Sequence, residues 1–473
     1  MTTAEAIAKL TPHPYDTSQL LVFINAAVQR PPFSGVSTMP TPPKSPSRET
    51  EKRIRQSTPH NFFYLGLFEI VYTAGIAFYL PMTVIPAYLL HLNVSKTVVQ
   101  TVMTVLTLIA FTQLWGPKIS HHPARKWRLV LLWSIGGLPW ALYGILHLTM
   151  GTRLPPPLLI TLFIILAYIG WISNNLASPG YSELMFLNIA KPHRGRFGSI
   201  LSLTIGIGGL AGSLLVSRFM GVVPSPDNYH YAFIIGGAAV LISSIILSRM
   251  HDNHAREYQH QRKNKPLIKL AATLWQNFNF RVFLLFFALI LSAQALAPLF
   301  ISYSRDVLQT PEEGAGYFTL AYFAGIAVLG AALPLLADRF GFRIIGIITA
   351  ALFAAAFLLP LFLPAARLVP YISYSLYATS LILCNIVLAN LGHEMVREIP
   401  PSLIIAIGRT IVMPIMIVIG PLSGLLIDLH GDAAYLTVFV SGALMNLIAL
   451  LGFVFIIREP RTGEEIFLRI RRF

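Results

Sequence analysis

The sequence predicts an all-α integral membrane fold of twelve transmembrane helices arranged as two pseudo-symmetric six-helix bundles. Three observations carry that expectation. Of 473 residues, 55% are hydrophobic and only 12% charged, with a mean hydropathy of +0.65; soluble domains carry roughly 25% charged residues. Apolar runs longer than about 18 residues, enough for a helix to cross the hydrocarbon core, recur from Phe62 onward. Two clusters of residues also repeat, in the same order, in each half of the chain.

Hydropathy and turn signals place the spans at 62–90, 97–115, 128–149, 157–189, 199–222, 231–249, 281–303, 316–336, 344–364, 367–393, 403–427 and 433–457. An even number of spans puts both ends of the chain on one side of the membrane. Thirty of the 35 Lys and Arg fall in the tails and in the loops or span ends of that side. The other side keeps Lys96, Arg153, Arg218, Arg305 and Arg367. Such asymmetry predicts cytoplasmic termini in a plasma (inner) membrane. It also explains the net charge of +15 by topology rather than by recognition of lipid head groups or nucleic acid, so the chain is expected to sit in the lipid bilayer and to have no nucleic-acid partner.

Residues 1–60 show no secretory signal pattern, and the Pro-, Ser- and charge-rich stretch 29–59 predicts a disordered cytoplasmic tail over 1–60. Met39 opens MPTPPKSPSRETEK, which leads into the first span and is a candidate second start. The remaining organisation is an N-terminal bundle at 61–249, a basic cytoplasmic connector at 250–280, a C-terminal bundle at 281–457 and a cytoplasmic tail at 458–473. The repeat between bundles rests on Asn174 and Glu183 recurring as Asn385 and Glu394, on Pro81 and Lys126 recurring as Pro298 and Arg343, and on GGLAG at 208–212 recurring as GPLSG at 420–424. The lone cysteine, Cys384, excludes an intrachain disulfide and a thiolate metal cage. His251, His254 and His260 in the connector lack carboxylate or thiol support, so neither a metal nor another cofactor is expected.

The loop after span 8 reads PLLADRFGFR, and its Asp338, Arg339, Gly341 and Arg343 match the cytoplasmic loop signature of the major facilitator superfamily. Pro334 and Phe342 depart from that signature. The first-half loop, WGPKISHHPARKWR, keeps its length and basicity but has His121 and Ala124 where Asp and Gly belong. KPHRGRFGS at 191–199, with Arg194 and Arg196, resembles the family's basic turn between spans 4 and 5. The chain is therefore similar to the superfamily over about residues 61–460. The resemblance implies a secondary transporter that moves a small organic solute by alternating access, with two halves rocking about a midplane site. Sugar-porter, peptide-carrier and span-5 antiporter motifs are missing, so substrate and direction stay open.

Ionisable groups inside a span are functional candidates because burying their charge is costly. Glu69 lies about seven residues, or about 10 Å, inside span 1. Protonation would remove that cost, making Glu69 the proton-coupling candidate; a salt bridge to a cytoplasmic loop is the alternative. Trp171, Asn174, Ser178 and Tyr181 share one face of span 4, and Tyr374 and Asn385 lie along span 10. These six are the substrate-cavity candidates, against the alternative that the asparagines merely hold helices together. Asp338, Arg339, Gly341, Arg343, Glu183, Glu394, Arg194 and Arg196 are assigned to a cytoplasmic gate, where charge-assisted bonds form in one state and break in the other. A membrane-embedded enzyme or a non-transporting sensor is the rival, but no HExxH, GxSxG or paired-aspartate pattern supports catalysis.

Overall fold

The computed structural model describes residues 48–116, 124–151, 153–189, 194–253, 267–311, 314–330, 332–333, 335–364, 366–396, 399 and 401–459. The Pro-rich tract with Met39, the loop carrying His121, and His254 and His260 lie outside the described residues. So do the side chains of Asp338, Arg339, Arg194 and Arg196.

The described chain folds into helices in the predicted order. In the first half they are Arg48–Ala77 with Val84–His91 (span 1), Lys96–Leu108 tightening into a 3₁₀ stretch at Ile109–Trp115 (span 2), Arg125–Met150 (span 3), Pro156–Asn188 (span 4), Arg194–Val222 (span 5) and Asp227–Ser248 (span 6). A short helix, Leu267–Gln276, precedes the second half. There follow Phe278–Gln294 with Leu299–Asp306 (span 7), Gly314–Gly325 widening at Ile326–Gly330 and then Leu335–Phe340 (span 8), Phe342–Phe362 (span 9), Val369–Met395 (span 10), Pro401–His430 (span 11) and Ala433–Phe455 (span 12).

Ten of these are long and apolar enough to cross a bilayer. Spans 1 and 8 fall short of that measure for local reasons. Span 1 is charged over its first turns and interrupted between Ala77 and Val84, around Pro81, while the continuous helical run of span 8 ends at Gly330. The repeat is visible in these breaks: Pro81 and Pro298 interrupt the first helix of each half, since proline withholds a backbone donor and obstructs the preceding turn.

Residues 48–60 depart from the expected tail, because span 1 is already helical at Arg48. Composition hides a buried stripe there: Thr50, Ile54, Thr58 and Asn61 recur at three- and four-residue spacing and are all under 9% exposed. Glu49 and Glu51 in the first turn suit the helix dipole and pair with Arg53 and Arg55 on the exposed side.

On the face that carries the basic loops, each half is clasped by the segment following its last helix. In the first half Arg125 Nε donates to Asp252 Oδ2 at 2.7 Å and Arg125 Nη2 to Asp252 Oδ1. Lys126 Nζ donates to the carbonyls of Ser248 and Met250 at the end of span 6. Asn61 donates to the carbonyls of Asn188 and His251, and Asn188 donates to Asp252. The start of the predicted connector is thus docked across spans 1, 3, 4 and 6. In the second half Arg343 donates through its side chain to the carbonyls of Phe453 and Val454, and its backbone N–H donates to Glu459 at 2.8 Å. Lys126 and Arg343 do the same work in the two halves, capping the orphan carbonyls of the sixth helix.

Candidate functional site

Glu69 is 6% exposed within span 1. The Tyr181 hydroxyl of span 4 donates to its Oε1 at 2.6 Å, and no ion pair reaches it among the described residues. The loop salt bridge left open by the sequence is not formed among the described residues. Tyr181 belongs to a packed aromatic cluster with Phe68, Tyr72 and Trp133, with ring centroids 5.1 Å apart for Phe68 and Tyr181 and 4.6 Å for Tyr72 and Trp133. One hydroxyl is a sparse shell for an ion removed from water; the neutral acid costs far less to bury.

The rest of the span 4 stripe divides. Trp171 and Ser178 are half-buried. Asn174 is pressed against Gly136 of span 3, so closely that a Cβ there would come within 1.8 Å of its Oδ1, and neither of its amide atoms finds a hydrogen-bond partner. Its neighbour Asn175 makes the contact to span 2, accepting from Gln113 Nε2 at 2.9 Å. Sequence spacing singled out Asn174 and passed over Asn175 and Gln113, although the two asparagines differ only by one step around the helix.

In the second half Asn385 accepts a hydrogen bond from Arg409 of span 11. Arg409 counts toward the basic side in the charge asymmetry that sets topology, yet it lies within the apolar run Ile404–His430. Tyr322, Tyr377 and Cys384 lie within its electrostatic range. Tyr374 is fully buried and sends its hydroxyl across to the carbonyl of Met82, in the break of span 1.

That bond belongs to a set joining the two halves on the face opposite the basic loops, the far face. Thr83 and Thr319 share a hydroxyl hydrogen bond at 2.7 Å. Asp428, at the end of span 11, accepts from the backbone N–H of Lys96 and Thr97 at 3.0 and 2.8 Å and from the Thr97 hydroxyl at 2.6 Å, while Lys96 Nζ sits 3.0 Å from Asp306. Asp428 thus caps the first turn of span 2 from the opposite half. Beneath it the glycines of span 11 allow close approach, a Cβ on Gly424 falling 2.6 Å from the Lys96 carbonyl. Asp428→Ala is expected to loosen this seal by about 0.5–2 kcal/mol, the usual worth of such a cap. Spin labels at exposed Thr149 and Arg367 should report a larger share of the long far-face distance; an unchanged distribution would show the cap does not hold the halves.

At the basic face Gly341 adopts φ +81°, and a Cβ on it would meet Glu459 Oε2 at 2.3 Å, so glycine is required for the turn into span 9. Arg343, 8% exposed, is held by span 12 and Glu459 as described. Glu183 is half-buried and makes no hydrogen bond or ion pair among the described residues, and Glu394 is half-buried at the basic end of span 10.

Two interrupted six-helix halves, sealed at one face and carrying ionisable side chains within their spans, Glu69 in the first and Arg409 in the second, define a carrier of the alternating-access type. The family model of the Major Facilitator Superfamily matches residues 67–421, and the chain belongs to that superfamily. It is a multi-pass integral membrane protein that moves small solutes by secondary transport. Its fold is similar to that of the nucleoside transporter NupG, at 15% identity and TM-score 0.65, covering 83% of this chain and 98% of that one. It is also similar to the xylose transporter XylE from E. coli in a partially occluded inward open conformation, at 16% identity and TM-score 0.59, covering 86% and 100%. A POT family transporter in complex with a thioalcohol conjugated peptide matches at 14% identity and TM-score 0.60, covering 83% and 96%. Comparison with curated protein sequences gives no match.

Proposed function

We propose that this carrier couples the movement of a small organic solute to protons through Glu69, with its basic face and both termini in the cytoplasm. The observation that carries the reading is Glu69 itself, 6% exposed, with the hydroxyl of a clustered tyrosine as its carboxyl's one hydrogen-bond partner among the described residues. A group in that position changes the burial cost of span 1 when it gains or loses a proton, and so can bias one orientation of the halves. The excess of Lys and Arg on one face supports the orientation, and the carrier architecture supports transport over catalysis.

The coupling is tested with proteoliposomes loaded with a pH-sensitive dye and challenged with a panel of sugars, nucleosides, amino acids and organic acids. A solute that is carried should drive the luminal pH down as it enters. Solute counterflow without any pH change would make the protein a uniporter and remove Glu69 from the coupling role. Orientation is tested separately in a Cys384→Ser background: a cysteine at Arg153 should label only from outside, and one at Lys263 only from the cytoplasm. Exchange of those sides would overturn the topology.

A further inference from the structure

Arg409 stands about eight residues, or roughly 12 Å, into span 11 from Pro401, which places a fixed positive charge near the middle of the bilayer. Among the described residues its one hydrogen bond is to Asn385 Oδ1, and its Nε is buried without a partner. No carboxylate pairs with it among the described residues: Glu69 bonds Tyr181 instead, and neither Glu183 nor Glu394 forms an ion pair with it. A guanidinium that merely fastened helices together would be expected to hold a protein carboxylate, because an uncompensated buried charge is strongly destabilising. Among the described residues the countercharge is absent.

The surroundings are built to receive one. Tyr377 is fully buried, lies within electrostatic range of Arg409, and its hydroxyl has no hydrogen-bond partner. Asn385, while its oxygen orients the guanidinium, keeps an amide nitrogen that can donate. Tyr322, Tyr374 and Tyr377 pack as a set of tilted rings, with centroids 6.3 Å apart for Tyr322 and Tyr374 and 5.3 Å for Tyr374 and Tyr377, and Tyr374 is one of the residues sealing the far face. Unpartnered donors of Arg409 and Tyr377 therefore lie near one another beside these rings, which Tyr374 ties to the closed seal.

We propose that Arg409, Asn385 and Tyr377 bind a carboxylate of the transported solute, so that the substrates are small organic anions. The inference rests on the transport reading above and deepens it. The guanidinium fork matches a carboxylate in two parallel hydrogen bonds, Tyr377 and the Asn385 amide supply further donors, and the tyrosine rings face the organic remainder. Glu69 in the first half and Arg409 in the second then divide the cargo between the halves. A monocarboxylate carried with one proton moves no net charge, so the membrane potential does not oppose its entry.

The test is a thermal-unfolding screen of the detergent-purified full chain at constant ionic strength with benzoate, succinate, xylose, uridine and choline, sodium chloride serving as the salt control. A ligand that binds the folded state raises the midpoint in a saturable way. At least one of the two carboxylates should do so and the neutral and cationic probes should not. Arg409→Gln should weaken the carboxylate response about 10–100-fold, the range for losing a charged hydrogen bond, with Arg409→Lys between it and the unaltered chain. Tyr377→Phe, which removes one oxygen from the core, should weaken it about 3-fold or more and gives a reading if the arginine variants do not fold. The proposal is overturned if neither carboxylate binds, if xylose, uridine or choline binds in their place, or if carboxylate affinity is unchanged in the variants. Its failure is separable from that of the proton reading. A neutral solute that acidifies the vesicle lumen keeps proton coupling and removes the anion site, whereas carboxylate binding and counterflow without a pH change do the reverse.

Discussion

Replacing Glu69 with glutamine is expected to abolish proton-driven accumulation while leaving solute counterflow in place. Glutamine keeps the length of the side chain and an oxygen that can accept from the Tyr181 hydroxyl, which lies 2.6 Å from the carboxyl in the native chain. What it loses is the ability to become charged. The carboxylate form must sit buried beside an aromatic cluster with a single donor, a setting that penalises the ion in whichever conformation keeps it buried. The protonated form carries no such penalty. That difference between conformations is the free energy by which a proton can shift the equilibrium of the halves, and without it no ligand-driven change is explained. A glutamine locks the protein into the behaviour of the neutral acid, so exchange at equal concentrations continues and uphill movement stops. The measurement is paired: dye-reported luminal pH, and labelled-solute counterflow in the same vesicles. Full accumulation by Glu69→Gln would mean that the carboxyl is only a structural bond to span 4. Glu69→Asp is the control for geometry, since shortening the side chain pulls the acid away from Tyr181 without removing its charge.

Much of this arrangement is written in local patterns. The apolar runs mark the spans because length and hydropathy alone decide what can cross a bilayer. The proline pair Pro81 and Pro298 marks the breaks, and the basic pair Lys126 and Arg343 marks two equivalent caps. Glu69 was legible for the same reason, as an acid in an apolar helix. Other features were hidden by the scale on which a sequence is read. The helix over residues 48–60 looks like a charged tail because its buried stripe contains only one aliphatic residue, Ile54, among threonines and an asparagine. Charge asymmetry tells which side of the membrane Arg409 is nearer and is silent on how deep in span 11 it lies. Asn174 and Asn175 could not be separated by spacing, since a rotation of the helix by one residue exchanges their surroundings. The partners of Arg125 and Arg343 were beyond reach altogether, because Asp252 and Glu459 meet them only after an entire half has folded.

Breaking the clasp at Arg125 is expected to give the largest loss of stability of any single change. Arg125 is 1% exposed and Asp252 is 7% exposed, and the guanidinium bonds both carboxylate oxygens. Removing one member of a buried pair leaves the other charge without its partner and costs about 3–5 kcal/mol, far more than the pair contributes when compared with an apolar substitute. Arg125→Met keeps most of the stem and deletes the charge, so the loss should be read as ionic rather than as a cavity. Asp252 also accepts from Asn188, and Asn61 ties span 1 to Asn188 and His251, so loss of the pair is felt across spans 1, 3, 4 and 6. The thermal midpoint of the purified protein should therefore fall in Arg125→Met and in Asp252→Leu, and recover substantially in the double variant, where no unpaired charge remains. That recovery is the decisive reading. Two singles whose effects simply add would show that each residue acts alone. A neutral Arg125→Met would show that the N-terminal half is held by its apolar packing, with the clasp along for the ride.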